Sequence, residues 1–501
     1  MKAAFKASQP ASLFVIFFIY TVLISALIQL IILPHIFPKW HAGGGLLISS
    51  LDSRNFHRNA IGLSEKIRAN GWSSWELRPK DQAPTGIAAI FYAIFGPKLW
   101  ALIPLNAAVH AASCLLLVFI INSITADFRI SIISSLPFLL FPSAAIWYSQ
   151  LHKDGFFIFG FYLYLFGWIL FTKEDNLCNL KGLLRITSFI ISGSFMIWVV
   201  RPYMMKVIFY FLIALIGSLA IYYLIGFSRG KFSKKLVLKQ FLCIFMIAFF
   251  TFIFTREKPY LFSASSFKQS AKFPVGGDYI YKPSKNNDIK RHTDYQNPVS
   301  PFVNGTISQA AVASKARQRI VFPQGFLNKL YIEFIAFQER IKIRFDRFIA
   351  EIGGRRHGFM TTAGKSNIDE NIGIETPGKL LVYLPRALQI AFLAPFPVHW
   401  FRSGSFESNT LMIKITALEM LITYFFLCFL PLAFWLWRKR ISTWVTVYFC
   451  LCMLLSYAIL VCNIGTLYRL RYGFLMVFVG LGVSGAVQSL RNIHFHKTTN
   501  T

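Results

Sequence analysis

The sequence lacks the short motifs that identify the commonest enzyme and transporter classes. It contains no P-loop, HExxH, GxSxG or CxxC-type site, and no internal repeat. An ATP-driven transporter is therefore unsupported. Cysteine is also scarce, and the seven cysteines lie almost entirely within apolar stretches. This distribution predicts no disulfide framework.

Acidic residues are few, since 21 Asp and Glu face 52 Lys and Arg for a net charge of +31. In a soluble protein such an excess would suggest nucleic acid as the partner. No helix-turn-helix, zinc-finger or RNA-binding signature accompanies it, so we expect no nucleic-acid partner. Membrane lipids, anionic ones in particular, are the better match for this charge.

Apolar residues are abundant instead. Hydrophobic residues make up 55% of the chain, aromatic residues 17%, and mean hydropathy is +0.52. These values exceed what a soluble core needs, and apolar runs of about 20 residues recur. The sequence predicts an all-α polytopic membrane protein with about ten transmembrane helices. The candidate spans are 12–33, 98–122, 130–148, 155–172, 186–200, 204–226, 236–254, 411–436, 441–461 and 472–489.

The basic loops predict the orientation, because Lys and Arg in short loops stay on the cytoplasmic side. All strong basic loops fall inside if both termini are cytoplasmic. This requires that two further apolar stretches, 84–96 and 380–397, do not cross the membrane. Both are short or broken by proline, so we expect juxtamembrane, interfacial or re-entrant helices.

Three parts follow from this topology. Residues 1–254 form a transmembrane module whose first outer loop is 34–97. A long outer loop, 255–410, contains a basic amphipathic helix that begins after Pro323 and ends at Gly353 and Gly354. Residues 411–501 form the C-terminal transmembrane helices.

Two carboxylates are predicted at the outer membrane face. Asp52 precedes an amphipathic helix that we expect from about Ser53, and Asp154 starts the helix after the third span. The simplest interpretation of each is a helix N-cap, which satisfies free backbone N–H groups. Two such acids at the same depth on one face also suit a shared site.

The first-loop Asp, the juxtamembrane helices and the "HKD" turn at 152–154 resemble the GT-C superfamily of integral-membrane glycosyltransferases. Protein O-mannosyltransferases and lipid A aminoarabinose transferases belong to it. Stretches such as "NIGTLYRLRYGFLM" are similar to bacterial membrane proteins of surface-polysaccharide loci. The resemblance implies an inverting transfer of sugar from a polyprenyl-phosphate donor to a saccharide or lipid-linked acceptor. It places the protein in the bacterial inner membrane with a periplasmic active site.

Sugar transfer needs a base for the acceptor hydroxyl, and cations for the phosphate that leaves. We expect Asp52 to be the base and Asp154 to position the acceptor or a divalent metal ion. His152 and Tyr468 are candidates to assist. The cations predicted to hold the lipid phosphate are Lys153, Arg201, Arg469 and Arg471.

Several alternatives stay open at the level of sequence. The arginines are equally explained as anchors that snorkel to lipid headgroups. Glu419 lies within a span and is predicted to form a buried polar contact with His110 and Asn106. A polysaccharide polymerase or ligase that uses a lipid diphosphate oligosaccharide would also require arginines at the outer face. A flippase would instead place ionisable residues along a transmembrane path.

Overall fold

The structure is a computed structural model, and it describes residues 2–173, 179–230, 234–256, 326–361, 366–403 and 407–499. Across these ranges the backbone forms helices and no β-strand, with two isolated bridges. The helices are α1 Lys2–Ala26, α2 Leu51–Asn70, α3 Ala83–Phe95, α4 Ile103–Thr125, α5 Phe128–Leu140, α6 Pro142–Tyr148, α7 Asp154–Phe171, α8 Leu180–Val200, α9 Pro202–Ser228, α10 Lys234–Ile253, α11 Phe326–Thr361, α12 Pro377–Leu393, α13 Glu407–Leu427, α14 Leu430–Trp437, α15 Ile441–Leu460 and α16 Ile464–Thr499.

The chain divides into two compact units. One contains Met1–Ser263 together with Ala350–Thr501, so the first and the last helices belong to the same unit. The other is Ala264–Ile349, of which the structure describes the helical residues 326–349. Within the expected outer loop 255–410, residues 257–325, 362–365 and 404–406 lie outside the described residues.

The predicted fold class is confirmed: the protein is an all-α polytopic membrane protein. Eight helices in the described ranges are long and apolar enough to cross a membrane, or nine when one bent pair is included. The tenth expected span, 236–254, corresponds to α10, whose apolar part Val237–Ile253 is shorter than the other spans.

The bent pair is α5 and α6, where the sequence predicted one straight span over 130–148. The two helices meet at an angle of 65°. Pro142 occupies the first position of α6, and a proline there cannot donate the backbone hydrogen bond that would continue α5. Phe141 accordingly adopts an extended conformation between the two helices. The α6–α7 turn, which carries His152, Lys153 and Asp154, directly follows the bent-away helix α6.

Three of the basic connections meet at one end of the helix bundle. Arg491 near the end of α16 pairs with Asp127 at the start of α5. Arg440, which precedes α15, donates to the carbonyl of Ile124 at the end of α4. These contacts place the connections on one side, as the distribution of Lys and Arg predicted. The turns at His152, Arg201 and Asn463 lie at the other ends of their helices, which we call the cluster end.

The short helices α3 and α12 have 13 and 17 residues, fewer than the spans have. Near its start α12 places Tyr383 against Arg356, which also contacts the last turn of α15. At its finish the carbonyl of Ile390 accepts from Arg471 in the second turn of α16. Both ends of α12 therefore contact helices close to the cluster end.

The amphipathic helix α11 does not end at Gly353 and Gly354 as expected, but continues to Thr361. A Cβ atom built on Gly353 would lie 2.5 Å from the carbonyl oxygen of Ile374. The glycine is therefore needed for close packing of the helix against a neighbouring backbone, and it does not terminate the helix.

The main hydrophobic core lies between the long helices, and aromatic residues such as Trp168 and Phe449 fill it. A smaller core joins α2 and α3 through Phe56, Ala60 and Tyr92. Leu151 of the α6–α7 turn belongs to this smaller core. The first-loop helices are thus packed directly onto the turn that carries the predicted site.

Candidate functional site

The side chain of Gln150 joins the glycine-rich loop to the α6–α7 turn. Its Oε1 accepts from the backbone N–H of Leu47 at 3.1 Å, and its Nε2 donates to the carbonyl of Gly45 at 2.9 Å. Gly45 has a φ of +85°, and a Cβ there would approach the Cβ of Gln29 to 3.1 Å. Only glycine suits both conditions without strain. This loop brings the start of α2 beside His152.

Helix α2 begins at Leu51, so Asp52 lies inside its first turn. The expected N-cap role of Asp52 is therefore wrong, and Ser50 occupies the cap position. The hydroxyl of Ser50 instead lies 3.1 Å from Nε2 of His152. Ser53 Oγ accepts from the backbone N–H of Leu151 at 3.0 Å. Two serines thus tie the start of α2 to the turn, and the Asp52 carboxylate is left to face another partner.

Asp154 starts α7, as predicted, but Lys153 occupies the cap position, so the N-cap interpretation of Asp154 is also wrong. Its Oδ1 accepts from Nη2 of Arg201, and Nη1 of the same arginine donates to the hydroxyl of Tyr457 at 2.9 Å. Its Oδ2 lies 3.1 Å from Nε of Arg469. The carboxylate is therefore enclosed by two guanidinium groups from the ends of two other helices.

Arg469 joins the two predicted acids. Its Nη2 lies 3.0 Å from Oδ2 of Asp52, while its Nε pairs with Asp154. Its Nη1 is 3.4 Å from Nδ1 of His152. Both carboxylates are therefore within ion-pairing distance of one guanidinium, as a shared site requires. We call Asp52, His152, Lys153, Asp154, Arg201 and Arg469 the acid–arginine cluster.

The two acids differ in access. The side chain of Asp52 is 57% exposed, whereas that of Asp154 is 9% exposed. A carboxylate held between two guanidinium groups is a weak proton acceptor, because both cations stabilise its charged form. Asp52 is therefore the acid that an external molecule can reach, and Asp154 is suited to holding Arg201 and Arg469 in place.

Lys153 supplies the least engaged positive charge of the cluster. No carboxylate in the described part of the chain lies within ion-pairing distance of it, and its ammonium group lies over the ring of Phe56 at 5.6 Å. Burial lowers the pKa of Lys153, and the nearby Arg201 lowers it further. The acid–arginine cluster thus contains three cations and two carboxylates, so it favours a bound anion.

His152 is buried, and its ring connects Ser50 to Arg469. Burial and the adjacent Arg469 lower the pKa of His152 to about 4, although Asp154 and Asp52 oppose the change. The imidazole is therefore neutral at pH 7. A neutral ring can accept a hydrogen bond from one neighbour and donate to another, which matches its position between a hydroxyl and a guanidinium.

Arg471 does not join the cluster. Its side chain is fully buried, and it donates to the carbonyls of Ile390, Ala391 and Ala394, where α12 ends. The sequence predicted one patch from Arg469 and Arg471. They lie on one helix, however, where a two-residue separation turns side chains by about 200°. Arg471 thus satisfies the free carbonyls of a helix end, a structural contact that replaces the predicted phosphate contact.

Tyr468 also lies away from the cluster, since its hydroxyl donates to Oε2 of Glu419 at 2.6 Å. Glu419 further accepts from the backbone N–H and the hydroxyl of Ser143, at 2.7 Å and 2.6 Å. The expected contact with His110 and Asn106 is wrong, because Asn106 donates to the carbonyl of Gln150. Three donors explain how an acid is accommodated within a span.

A small cavity of about 40 Å³ leads from the cluster into the helix bundle. It begins beside His152, Asp154 and Arg469 and reaches His110 and Tyr148. Asp52 is beside its mouth, through the ion pair with Arg469, but does not line it. The other lining residues are Asn106, Val109, Ser113, Phe138, Ala144, Trp147, Gln150, Gly155, Phe156, Ile158 and Tyr472.

The described ranges contain no group of three His, Cys, Asp or Glu side chains arranged to hold a metal ion. Sequence reasoning missed Tyr457, Ser50 and Gln150 as partners of the cluster. Gln150 lies two residues before His152, and this proximity to the charged turn was an available signal. Tyr457 is one of 20 tyrosines and has no distinguishing neighbours in the sequence.

Comparisons with known proteins give no further guide to the chain. No protein-family model, no curated protein and no solved structure matches it.

Proposed function

We propose that this protein is a glycosyltransferase of the GT-C kind, in the assembly of surface polysaccharide or another glycoconjugate. It moves a sugar from a polyprenyl-phosphate donor to an acceptor hydroxyl on the periplasmic face of the bacterial inner membrane. The observation that carries the proposal is the bridge by which Arg469 joins the exposed Asp52 to the enclosed Asp154 at a cavity mouth. Sugar transfer from a phosphate needs an accessible acid beside an excess of positive charge, and the cluster offers both.

In the proposed reaction, the acceptor oxygen attacks the anomeric carbon while the bond from that carbon to the phosphate oxygen breaks. Asp52 takes the proton of the acceptor hydroxyl. The polyprenyl phosphate leaves with the electron pair, and Arg469 and Lys153 stabilise its growing negative charge. Asp154 and Arg201 are positioning residues, because the buried Asp154 pairs with Arg469 on one side and with Arg201 on the other.

The test replaces Asp52 with Asn, which keeps the size of the side chain and removes the base. Membranes from cells lacking the chain are supplied with the parental or the variant protein, and conversion of extracted lipid-linked sugar to polyprenyl phosphate is measured. We expect Asp52→Asn to lower the rate by roughly 10² to 10⁴ while the protein stays folded.

Asp81→Asn is the matched control, since Asp81 is an exposed acid of the same loop that pairs with nearby Arg78. Its activity should equal the parental one. Full activity of Asp52→Asn would refute the role of the base. A parental protein that moves the lipid-linked sugar across the membrane but leaves it chemically intact would show a flippase. Growth of a lipid diphosphate oligosaccharide would show a polymerase or ligase.

A further inference from the structure

The segment between α2 and α3 is fixed against the first turn of α3. The indole N–H of Trp75 donates to the carbonyl of Gly86 at 2.9 Å. A Cβ atom built on Gly86 would overlap the carbonyl oxygens of Glu76 and Leu77, so the close contact requires glycine. Arg78, the next residue, therefore extends from a packed backbone whose position is set by the fold.

Arg78 lies beside the acid–arginine cluster. Its guanidinium lies over the ring of Trp198, 5.2 Å from the ring centroid. Trp198 is in the last turn of α8, three residues before Arg201, which pairs with Asp154. Burial lowers the pKa of Lys153, and the positive charges of Arg201 and Arg78 lower it further. Arg78 is therefore near Lys153 in the fold, although 75 residues of chain separate them.

The charge of Arg78 is poorly compensated. In the part of the chain that the structure describes, one carboxylate pairs with it: Oδ1 of Asp81 lies 3.2 Å from Nη2. The side chain of Asp81 is 88% exposed, and ion pairs this exposed contribute little. The side chain of Arg78 is only 14% exposed, and its Nε is buried without a hydrogen-bond partner. A guanidinium has five N–H donors, so Arg78 retains donors for a further acceptor.

Lys153 is in a similar situation. Among the described residues no carboxylate lies within ion-pairing distance of it, and its ammonium group lies over the ring of Phe56. Two neighbouring cations repel each other, and an anion that contacts both relieves the repulsion. A phosphate group offers three strong acceptor oxygens, so it can accept from a guanidinium and an ammonium group together.

We propose that Arg78 is a further binding residue of the lipid-phosphate site, and that Arg78 and Lys153 together hold the phosphate group of the donor. The inference rests on the proposed function and extends it, because it adds a cation from the first loop to the site. Arg469 is shared between two carboxylates, so Arg78 and Lys153 offer most of the positive charge that a phosphate can use. The ligand is a phosphate monoester on an isoprenoid chain.

The test measures binding of farnesyl phosphate, a short isoprenoid phosphate monoester, to the purified full-length protein in detergent without an acceptor. Arg78→Gln and Lys153→Gln should each weaken binding by roughly tenfold, because each removes a charge-assisted contact. Arg78→Lys keeps the charge and should weaken binding less. Farnesol, which has no phosphate, should bind weakly and equally to every variant.

The matched control is Arg58→Gln, which removes the same charge from the same loop. Arg58 is exposed and donates to Oδ1 of Asn55 at 3.1 Å, so its loss should leave the affinity at the parental value. Thermal unfolding of each variant supplies a second readout. If Arg78 served only to stack on Trp198, Arg78→Gln would lower stability and leave the affinity of the folded protein unchanged, and the inference would be wrong.

Parental affinity in Arg78→Gln would overturn the inference. An equal loss in Arg58→Gln would also overturn it, because overall charge would then be the cause. Inorganic phosphate and phosphatidylglycerol are added as competitors, and either one displacing farnesyl phosphate at equal concentration would contradict a site for an isoprenoid phosphate. A parental protein that binds farnesyl phosphate through Arg78 but consumes no lipid-linked sugar would overturn the proposed transfer alone, so the two failures are distinct.

Discussion

At the scale of the residue, Arg469 and Arg471 have nearly the same sequence setting and different tasks. Arg469 uses three nitrogens on Asp154, His152 and Asp52, so its planar fork is what fixes the geometry of the cluster. Arg471 instead donates hydrogen bonds to main-chain carbonyls at the end of α12. Under the proposed function Arg469 would act on the donor, whereas the contacts of Arg471 stabilise the fold.

Arg469→Lys should weaken transfer from the polyprenyl-phosphate donor by roughly 1 to 3 kcal/mol, because one ammonium group cannot reach both Asp52 and Asp154 as the guanidinium does. Arg471→Lys should lower the free energy of unfolding by about 2 to 4 kcal/mol, since it leaves buried carbonyls without donors, and should not change the donor concentration dependence. Donor titrations and thermal unfolding of the two purified variants check this. The reverse pattern would return Arg471 to the phosphate site.

At the scale of the element, Arg356 fastens the segment after α11 to the end of α15. Its guanidinium donates to the carbonyls of Ile459, Asp369 and Ile372 at 2.7, 2.9 and 3.0 Å. Nearby, Asn463 directly precedes α16 and caps it, since its Oδ1 accepts from the N–H of Thr466. The helix that carries Arg469 therefore starts from a connection that is fixed by contacts outside the spans.

Arg356→Gln should lower the free energy of unfolding by about 2 to 4 kcal/mol, because it leaves several main-chain carbonyls without a hydrogen-bond donor. Arg355→Gln is the control on the same helix. Arg355 pairs with Glu351 at the surface and lies 5.9 Å over the ring of Tyr203, and such exposed contacts are worth about 0 to 1 kcal/mol each. Chemical or thermal unfolding in detergent decides the prediction, and equal losses in the two variants would contradict it.

At the scale of the whole molecule, the contacts of Arg491 with Asp127 and of Arg440 with Ile124 put three basic connections at one end of the bundle. The acid–arginine cluster forms at the other ends of the helices concerned. An excess of Lys and Arg stays cytoplasmic, so we expect the cluster to be periplasmic.

Single introduced cysteines test this orientation. Lys439→Cys, beside Arg440, should react with an impermeant thiol reagent only after the membrane is opened. Glu370→Cys, in the segment that Arg356 fastens, should react from the outside of intact cells. The parental chain gives the background of its own cysteines. Labelling of position 439 in intact cells would reverse the orientation and place the cluster in the cytoplasm.

The sequence by itself determined the class of the protein and most of its spans, because an apolar run of membrane length has few other stable states than a helix. It also identified Asp52, His152, Lys153, Asp154, Arg201 and Arg469, since charges beside apolar runs are conspicuous. The tertiary structure decided which charges meet. Arg469 joins Asp52 across 417 residues of chain, and no local pattern encodes such a distance. The structure also separated Arg471 from Arg469, which depends on how a helix turns and what packs on each face. The approach of Arg78 to the cluster likewise required the fold, because in the sequence Arg78 resembles an ordinary charge of a polar loop.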